Sequence, residues 1–303
     1  MKYSVVIPLY NKEKHIARAI YSVLSQEVND FELIVVDDGS TDQGIDVVNN
    51  IKDSRIKLIR QSNRGVSAAR NKGIANAKGE LVALLDADDE WMPNHLFSFD
   101  KMIEMYPEAG LYTTAYTVID VDGSIVDPWN GGLSSRIEIE KINIYKESYN
   151  NLVLPVHTSA VCIPKSVLDR IGGFIEGQHL GEDLDMWGRV ALIYDVVFNS
   201  IASSMYYKDS INRSIEKMPP DEMPFVTSYK NDSNKLTNIY IKEYVVMQQF
   251  IVASKFIMTG NMKQARKVLS LVDTKLQRKK LVKYYISTYI PVFMLRLWMS
   301  FKH

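Results

Sequence analysis

The sequence predicts an α/β protein in which helices cover a parallel β-sheet. Two observations support this fold class. Strand and helix signals alternate over the first hundred residues, and the strands are apolar along their whole length. A strand without polar alternation implies that both faces of its sheet are buried. A chain of 303 residues is long enough for one large domain and an appendage.

The elements follow one another with short connections. The first is the β-branched run Tyr3–Leu9, and from His15 apolar residues recur on one helical face, with Asn11 available as the N-cap. The next elements are a strand over residues 31–36, a helix over 45–51, a strand over 56–59, a helix over 66–77 and a strand over 81–85. The predicted order is therefore β-α-β-α-β-α-β.

Polar clusters follow three of these strands, at residues 8–11, 37–42 and 86–89. Ligands of such sheets bind beyond the carboxyl ends of the strands. The tetrad Asp86-Ala87-Asp88-Asp89 is the most informative cluster, because three carboxylates so close together repel unless water or a cation neutralises them. Oxygen-rich clusters suit Mg²⁺ or Mn²⁺, which keep positions for waters or substrate phosphates. A solvated acidic turn is the alternative.

Two carboxylates also end the second strand. Asp37 and Asp38 can accept hydrogen bonds from a base N–H or from ribose hydroxyls, whereas in a structural reading Asp38 or Ser40 caps the next helix. Asp86 can reach a ribose or a metal-bound water, and Asp88 can coordinate the ion.

Residues 63–71 place two arginines and a glycine at the start of a helix, which favours contact with a phosphate or nucleotide. Arg70 can equally be a surface residue paired with a carboxylate. Neither a P-loop nor a dinucleotide-binding fingerprint occurs in the sequence.

Four motifs in the first hundred residues together resemble the family 2 glycosyltransferases of GT-A fold. They are residues 5–11 (VVIPLYN), 35–42 (VVDDGSTD), 64–73 (RGVSAARNKG) and 84–89 (LLDADD). The resemblance implies a Rossmann-like, nucleotide-binding mixed sheet flanked by helices. It also implies a nucleoside-diphosphate-sugar donor, commonly UDP-linked, a divalent metal, Mn²⁺ or Mg²⁺, and transfer with inversion at the anomeric carbon.

The resemblance also assigns site residues. It implies that Asp38 contacts the base, that residues 8–10 flank the base, that Asp86 approaches the ribose or sugar, and that Asp88 holds the metal. The donor site expected on this basis comprises Pro8, Leu9, Tyr10, Asn11, Glu13, Asp37, Asp38, Arg64, Gly65, Arg70, Asp86 and Ala87.

An inverting transfer needs a base that takes the proton of the acceptor hydroxyl. Residues 181–189 (GEDLDMWGR) resemble the E-D…W element of the family, which implies that Asp183 is the base and Glu182 an acceptor-site neighbour. The alternative is that both acids only complement a helix dipole. The sequence departs from many family members because no histidine follows in residues 206–214, where Lys208 or Arg213 can stabilise the diphosphate instead. No Q-x-x-R-W motif follows Trp187, which favours addition of a single sugar.

The formal net charge of zero hides an uneven distribution. Residues 230–303 carry 14 Lys and Arg against 3 Asp and Glu, whereas residues 1–229 carry 22 against 33. We therefore divide the chain into a catalytic domain over 1–229 and a basic helical extension, broken at Gly260, over 230–303. Within the domain we expect a nucleotide-sugar-binding half over 1–100 and an acceptor half over 101–229.

The end of the extension predicts a membrane contact. A basic cluster over residues 278–283 leads into the aromatic-rich stretch 284–301, which Pro291 and Arg296 interrupt and so make a poor membrane span. Basic residues beside such a stretch suit the anionic inner surface of a membrane, so we expect peripheral contact through residues 278–303. Helices that pack on the catalytic body or form a homodimer are the alternative.

The sequence as a whole favours an inverting sugar transferase that acts on a glycan or lipid-linked acceptor in surface polysaccharide assembly. The alternatives are a sugar-nucleotide-binding protein without catalysis and a receiver-type regulator, although the latter leaves the Glu182-Asp183 element unexplained. The single cysteine, Cys162, excludes an internal disulfide framework, and the apolar N-terminal run is too short for a signal peptide. We therefore expect a cytoplasmic protein with no nucleic-acid partner.

Overall fold

A mixed β-sheet with helices on both faces forms the centre of the protein, whose structure is a computed structural model. The described residues are 1–128, 138–151, 155–178, 180–210, 218, 220, 223–230, 238–273, 275–276, 278–292 and 294. The strands are β1 (Tyr3–Leu9), β2 (Phe31–Asp37), β3 (Ile56–Arg60), β4 (Leu81–Leu84), β5 (Glu90–Trp91), β6 (Leu111–Ile119), β7 (Ile125–Val126), β8 (Ile139–Ile142), β9 (Val161–Pro164) and β10 (Val196–Tyr207).

The strand order is β3-β2-β1-β4-β9-β6-β10-β5, with β7 paired to β6 and β8 to β10. Strands β1 to β4 pair in parallel, as their apolar sequences predict. Strand β9 then runs antiparallel to both β4 and β6, and β10 runs parallel to β6. The carboxyl ends of β1, β2 and β4 consequently share one edge of the sheet, which brings the three polar clusters together.

Helices cover both faces of this sheet because successive strand residues point to opposite sides. The helices are α1 (Ile16–Leu24), α2 (Gly44–Asn50), α3 (Val66–Asn76), α4 (His95–Met105), α5 (Ile144–Asn151), α6 (Lys165–Ile171), α7 (Glu182–Ala191), α8 (Pro224–Lys230), α9 (Ile239–Met258), α10 (Met262–Leu269) and α11 (Arg278–Ser287). Val5 and Ile7 of β1 pack in one core with Ile16 of α1. Val6 packs in the other core, which also contains Ala69 of α3.

One expectation about helix capping, and one alternative to a binding role, are wrong. His15, not Asn11, precedes α1, and no side chain caps that helix. The chain first turns at Asn11, which has a positive φ of 51° and accepts a hydrogen bond from the Thr41 N–H. Neither Asp38 nor Ser40 caps α2, which begins after Gln43 without a side-chain cap. Longer loops than expected separate these residues from the helices.

The C-terminal helices pack on the rest of the protein. Helix α9 contacts α5 and α8, and its residues Tyr244, Phe250 and Ala253 are buried in the core that also holds Val6. Gly260 has a φ of 81° at the predicted break before α10. Over the part of the chain described, no helix combines the length and the apolar character that crossing a bilayer requires. The boundary after residue 229 stays a proposal.

Candidate functional site

A cavity of about 660 Å³ opens at the carboxyl edge of β1, β2 and β4. Loops after these three strands form one side, and the loop before α3 and the first residues of α7 form the other. The predicted residues in its wall are Pro8, Leu9, Tyr10, Asp38, Arg64, Gly65, Arg70, Asp86, Ala87, Asp88, Glu182 and Asp183. The donor motifs and the Glu182-Asp183 element thus meet in one space, although more than 90 residues separate them in sequence.

Three predicted residues lie outside the wall of this cavity, and they tie its loops together. The Asn11 Oδ1 accepts from Thr41, and a Glu13 carboxylate oxygen accepts from the Gln43 N–H. The Asp37 side chain is buried and accepts from the Ser40 N–H. The Asn11 and Glu13 contacts join the loop after β1 to the loop after β2, and the Asp37 contact closes the turn after β2.

Asp38 holds the loop that leads into α3. One carboxylate oxygen accepts from Gln61 Nε2 and the Arg64 N–H at 2.8 and 2.9 Å, and the other from the Gly65 N–H at 2.8 Å. The adjacent Gly39 has a φ of 75°, and a Cβ there would lie 2.8 Å from the Asn63 nitrogen. The Asp-Gly pair therefore lets the two loops approach each other closely.

Arg70 is buried and bridges the two sides of the cavity. Its guanidinium donates to Asp86 Oδ1 at 2.8 Å and to Glu182 Oε1 at 3.1 Å, so the surface alternative is wrong. Burial alone would lower the pKa of Arg70, but Asp86 and Glu182 raise it above its usual range. A permanently charged side chain thus links the loop after β4 to the start of α7.

Asp183 lies in the first turn of α7 with a titration behaviour unlike that of an ordinary carboxyl. Burial and the neighbouring Glu182 raise the pKa of Asp183 to about 7, although Arg70 and the Leu184 N–H oppose this rise. One oxygen of Asp183 accepts from that N–H at 2.7 Å. At neutral pH this carboxyl can therefore both release and take up a proton.

Asp88 faces a lysine that the sequence did not single out. Its Oδ2 lies 2.8 Å from Lys12 Nζ, and both residues line the cavity. Burial alone would raise the pKa of Asp88, but Lys12 lowers it. Lys12 was missed because its position in the N-K-E segment after β1 gives no hint of a partner 76 residues away.

The third acid of the tetrad turns inward. Asp89 is buried and accepts from the Ser159 hydroxyl and, at 3.2 Å, from the Tyr207 N–H. Burial, together with Asp88 and Asp86, raises the pKa of Asp89 well above its usual range. Trp91, two residues further on, is a buried packing residue, and its Nε1 donates to the Ser159 carbonyl.

The residues of the cavity fit a divalent metal that takes part of its coordination from a bound ligand. Among the described residues, no three His, Cys, Asp or Glu side chains are grouped to hold a metal. Of the two tetrad carboxylates in the cavity wall, Asp86 is paired with the buried Arg70 and Asp88 with Lys12. Mg²⁺ typically takes one or two carboxylates and completes its shell with substrate phosphates and waters. Asp88 would hold such an ion together with oxygens supplied by a bound ligand and water.

His157 lies in the wall of the cavity. Its ring lies between those of Tyr116 and Tyr206, at centroid distances of 4.7 and 4.9 Å, and its Nδ1 accepts from the Ser159 N–H. Burial lowers the pKa of His157 to about 4, so the imidazole is neutral at pH 7. Lys208, expected near the diphosphate, instead pairs with Asp120 at 2.7 Å. Arg213 lies outside the described residues.

The fold and the cavity define an α/β protein with a charged ligand site at the carboxyl edge of its sheet. The model of the family described as glycosyl transferase family 2 matches residues 4–170, more than half of the chain. The chain therefore belongs to glycosyl transferase family 2, as its motifs predicted. This membership rules out the receiver-type alternative.

Curated relatives match part of the chain. Over 127 residues it is 40% identical to an uncharacterized glycosyltransferase of Nostoc sp., a match that covers 41% of this chain and 38% of that protein. Over 129 residues it is 36% identical to the putative teichuronic acid biosynthesis glycosyltransferase TuaG of Bacillus subtilis, covering 41% of this chain and 50% of that protein. The match thus spans half or less of the length of these relatives.

A solved structure shares the fold over nearly the whole chain. The crystal structure of S. aureus TarS 1–349 in complex with UDP-GlcNAc aligns with a TM-score of 0.71 and 20% sequence identity, covering 94% of this chain and 89% of that one. The TarS 1–349 structure in complex with UDP aligns with a TM-score of 0.60. This likeness confirms the GT-A fold that the sequence predicts.

Proposed function

We propose that the protein is an inverting glycosyltransferase that moves a single sugar from a UDP-linked donor to an acceptor hydroxyl. The observation that carries this proposal is a single cavity that unites the strand-end donor motifs with a carboxyl group whose pKa is raised to about 7. Nucleotide diphosphates bind at such sheet edges, and a base poised near neutral pH suits proton abstraction.

Asp183 acts as the general base in this proposal. The acceptor oxygen forms a bond to the anomeric carbon while the bond from that carbon to the diphosphate oxygen breaks. The acceptor proton passes to the Asp183 carboxylate, and the products are the glycoside and UDP. Attack on the face opposite the leaving group inverts the configuration. Glu182 lies beside the acceptor and keeps the pKa of Asp183 high.

The donor lies against the loops after β1, β2 and β4. Asp38 can still accept a hydrogen bond from the base, because each carboxylate oxygen accepts two. Asp86, which is 28% exposed, faces the ribose or the sugar, and Arg64, which is 61% exposed at the rim, can turn toward the diphosphate. A Mn²⁺ or Mg²⁺ ion held by Asp88 and the diphosphate would neutralise the leaving group.

The names of similar proteins support the proposed classes of donor and acceptor. The TarS structure contains UDP-GlcNAc, and the TuaG relative is named for teichuronic acid biosynthesis. We therefore propose a UDP-sugar as the donor and a glycan or lipid-linked acceptor of surface polysaccharide assembly. A cytoplasmic location fits both, since UDP-sugars and the proposed membrane contact meet there.

A donor screen tests the proposal. Calorimetry with UDP and a panel of UDP-, GDP- and dTDP-sugars, each with and without Mn²⁺, measures the affinity of each nucleotide. We expect UDP-linked donors to bind at least about tenfold more tightly than the others, a difference of 1.4 kcal/mol. UDP release in the presence of acceptor preparations then reports turnover. If no nucleotide binds with Mn²⁺ present, the proposed function is wrong, and donor binding without UDP release would favour a binding protein.

A further inference from the structure

Helix α11 presents an exposed face that combines apolar and basic side chains. Val282 and Ile286 are 51% and 57% exposed and lie one helical turn apart on the same face of α11. Tyr289, which is 73% exposed, follows in the turn after the helix. The exposed residues Lys279 and Lys283 flank them. Three large apolar side chains in one row differ from the single exposed hydrophobic residues that protein surfaces normally carry.

The opposite face of α11 fixes the helix on the protein. Leu281 and Thr288 are buried, and the Tyr284 ring lies 4.9 Å from the Phe250 ring of α9. The Lys280 ammonium lies 5.0 Å from the same Phe250 ring. Because these contacts set the rotation of the helix, the apolar row is held outward.

The charge around this row has one sign. Residues 274–303 contain seven Lys and Arg and neither Asp nor Glu. From the neighbouring helix α10, the Arg266 guanidinium also lies 4.3 Å from the Tyr289 ring. Among the described residues, Lys279, Lys283 and Arg266 thus lie beside the row, where their charge favours a negatively charged partner.

We propose that this face of α11 binds the surface of an anionic lipid bilayer. Val282, Ile286 and Tyr289 enter the boundary between headgroups and acyl chains, and Lys279 and Lys283 lie at the lipid phosphates. A second copy of the chain is the weaker occupant, because a two-fold interface would set the same cations against each other. The proposal does not depend on the transferase reaction.

Vesicle flotation of the full chain tests the proposal. We expect the protein to float with phosphatidylcholine vesicles that contain phosphatidylglycerol and to remain behind with phosphatidylcholine alone. The double variant Lys279→Glu/Lys283→Glu should lower the partition coefficient by more than about 20-fold, since each cation near the surface contributes about fivefold. The triple variant Val282→Ser/Ile286→Ser/Tyr289→Ser should lower it by at least about tenfold.

Matched control variants distinguish an effect of this α11 face from a general effect of changed charge or of lost apolar side chains. Lys72→Glu/Lys146→Glu changes two exposed helical lysines by the same net charge, and Val121→Ser/Ile125→Ser removes two side chains that are 72% and 74% exposed. Both controls should float like the wild type. Sedimentation velocity and thermal unfolding of every variant check for a dimer and for correct folding.

Three results would overturn the proposal. They are equal flotation with both kinds of vesicle, equal losses in the controls and the α11 variants, and a dimer that the triple variant dissociates without any vesicle binding. Failure of UDP-sugar binding would leave this experiment unaffected, because it contains no nucleotide.

Discussion

The two sides of the cavity hold carboxylates in opposite electrostatic settings. Among the loops after β2 and β4, Asp38 accepts three hydrogen bonds from the loop that leads into α3, and Asp88 pairs with Lys12. On the α7 side, Asp183 accepts one backbone hydrogen bond and has the like charge of Glu182 beside it. Hydrogen-bond donors or a cation from a neighbouring loop thus hold a carboxylate in place, whereas burial and a like-charged neighbour raise the pKa of a carboxyl toward 7.

Substitution of Asp183 should have the largest effect on the difference between the two sides of the cavity. Asp183→Asn should lower kcat by about 10³-fold, because the amide cannot take the acceptor proton, while the affinity for UDP stays within about twofold. UDP-release kinetics and calorimetry measure the two quantities. Asp169→Asn, which changes an exposed carboxyl on the neighbouring helix α6, is the matched control and should behave as the wild type. Unchanged turnover in Asp183→Asn would remove this residue from the mechanism.

Arg70 joins the two sides, and its loss should affect stability. Arg70→Met leaves the buried Glu182 carboxylate without its cation, which should lower the free energy of unfolding by about 3 kcal/mol or more. Urea unfolding at pH 7.5 measures the change. Arg64→Met is the comparison, since its pair with Glu176 is exposed and should contribute less than about 1 kcal/mol. Equal losses in both variants would mean that Arg70 does not link the two sides electrostatically.

Substitution of Asp88 tests whether this residue holds the proposed metal. Asp88→Asn should raise the Kd of the UDP-sugar in the presence of Mn²⁺ by about tenfold and abolish the difference that Mn²⁺ makes. Calorimetry with and without Mn²⁺ measures both. Asp120→Asn changes a carboxyl that also pairs with a lysine but lies outside the cavity wall, so its Mn²⁺ response should persist. A full Mn²⁺ response in Asp88→Asn would place the ion elsewhere.

The pH dependence gives the smallest expected effect. A general base must be ionised, so kcat/KM should fall as the pH drops below about 7, the pKa of Asp183. Glu182→Gln should move this acidic limb to lower pH. The substitution removes the like charge that raises the pKa of Asp183 and leaves the charge of Arg70, which lowers it. Initial rates from pH 5.5 to 9 measure the limb. A limb that stays in place, or that moves to higher pH, contradicts the assignment.

Protonation of Asp183 also links pH to stability. Its folded-state pKa lies above the unfolded value, so the protonated carboxyl favours the folded state at low pH. This contribution is lost as the pH rises toward and through about 7. Asp183→Asn should therefore unfold at a higher temperature than the wild type at pH 8, and the difference should shrink toward pH 5. Thermal unfolding at the two pH values provides the measurement.

The first 85 residues could be predicted almost element by element, whereas β5 and α4 were not predicted. Strand β1 has the predicted bounds, and α3, predicted over residues 66–77, is observed over Val66–Asn76. Apolar periodicity and glycines are local signals, so they determine such bounds without knowledge of the remaining chain. The family motifs then identified most residues of the cavity wall.

Long-range pairs could not be predicted in the same way. The Lys12–Asp88 pair joins the loops after β1 and β4, and no local pattern at either residue indicates the other. The position of His157 depends on how β9, β6 and β10 join the sheet. The basic charge of the extension likewise suggested a surface element, yet α9 is largely buried. The net charge of a segment does not show which helical face its charged residues occupy. Here Lys279 and Lys283 lie on α11, whereas the buried residues lie on α9.

The Asp89 side chain turns away from the cavity, unlike the other two acids of the tetrad. The Ser159 hydroxyl bonds to this acid and accepts from the Asp86 N–H, so a single serine sets the direction of the whole segment. Asp89 is buried and lies outside the cavity wall, which includes Asp86 and Asp88. An incoming nucleotide would therefore meet two carboxylates of the tetrad rather than three, each already beside a cation.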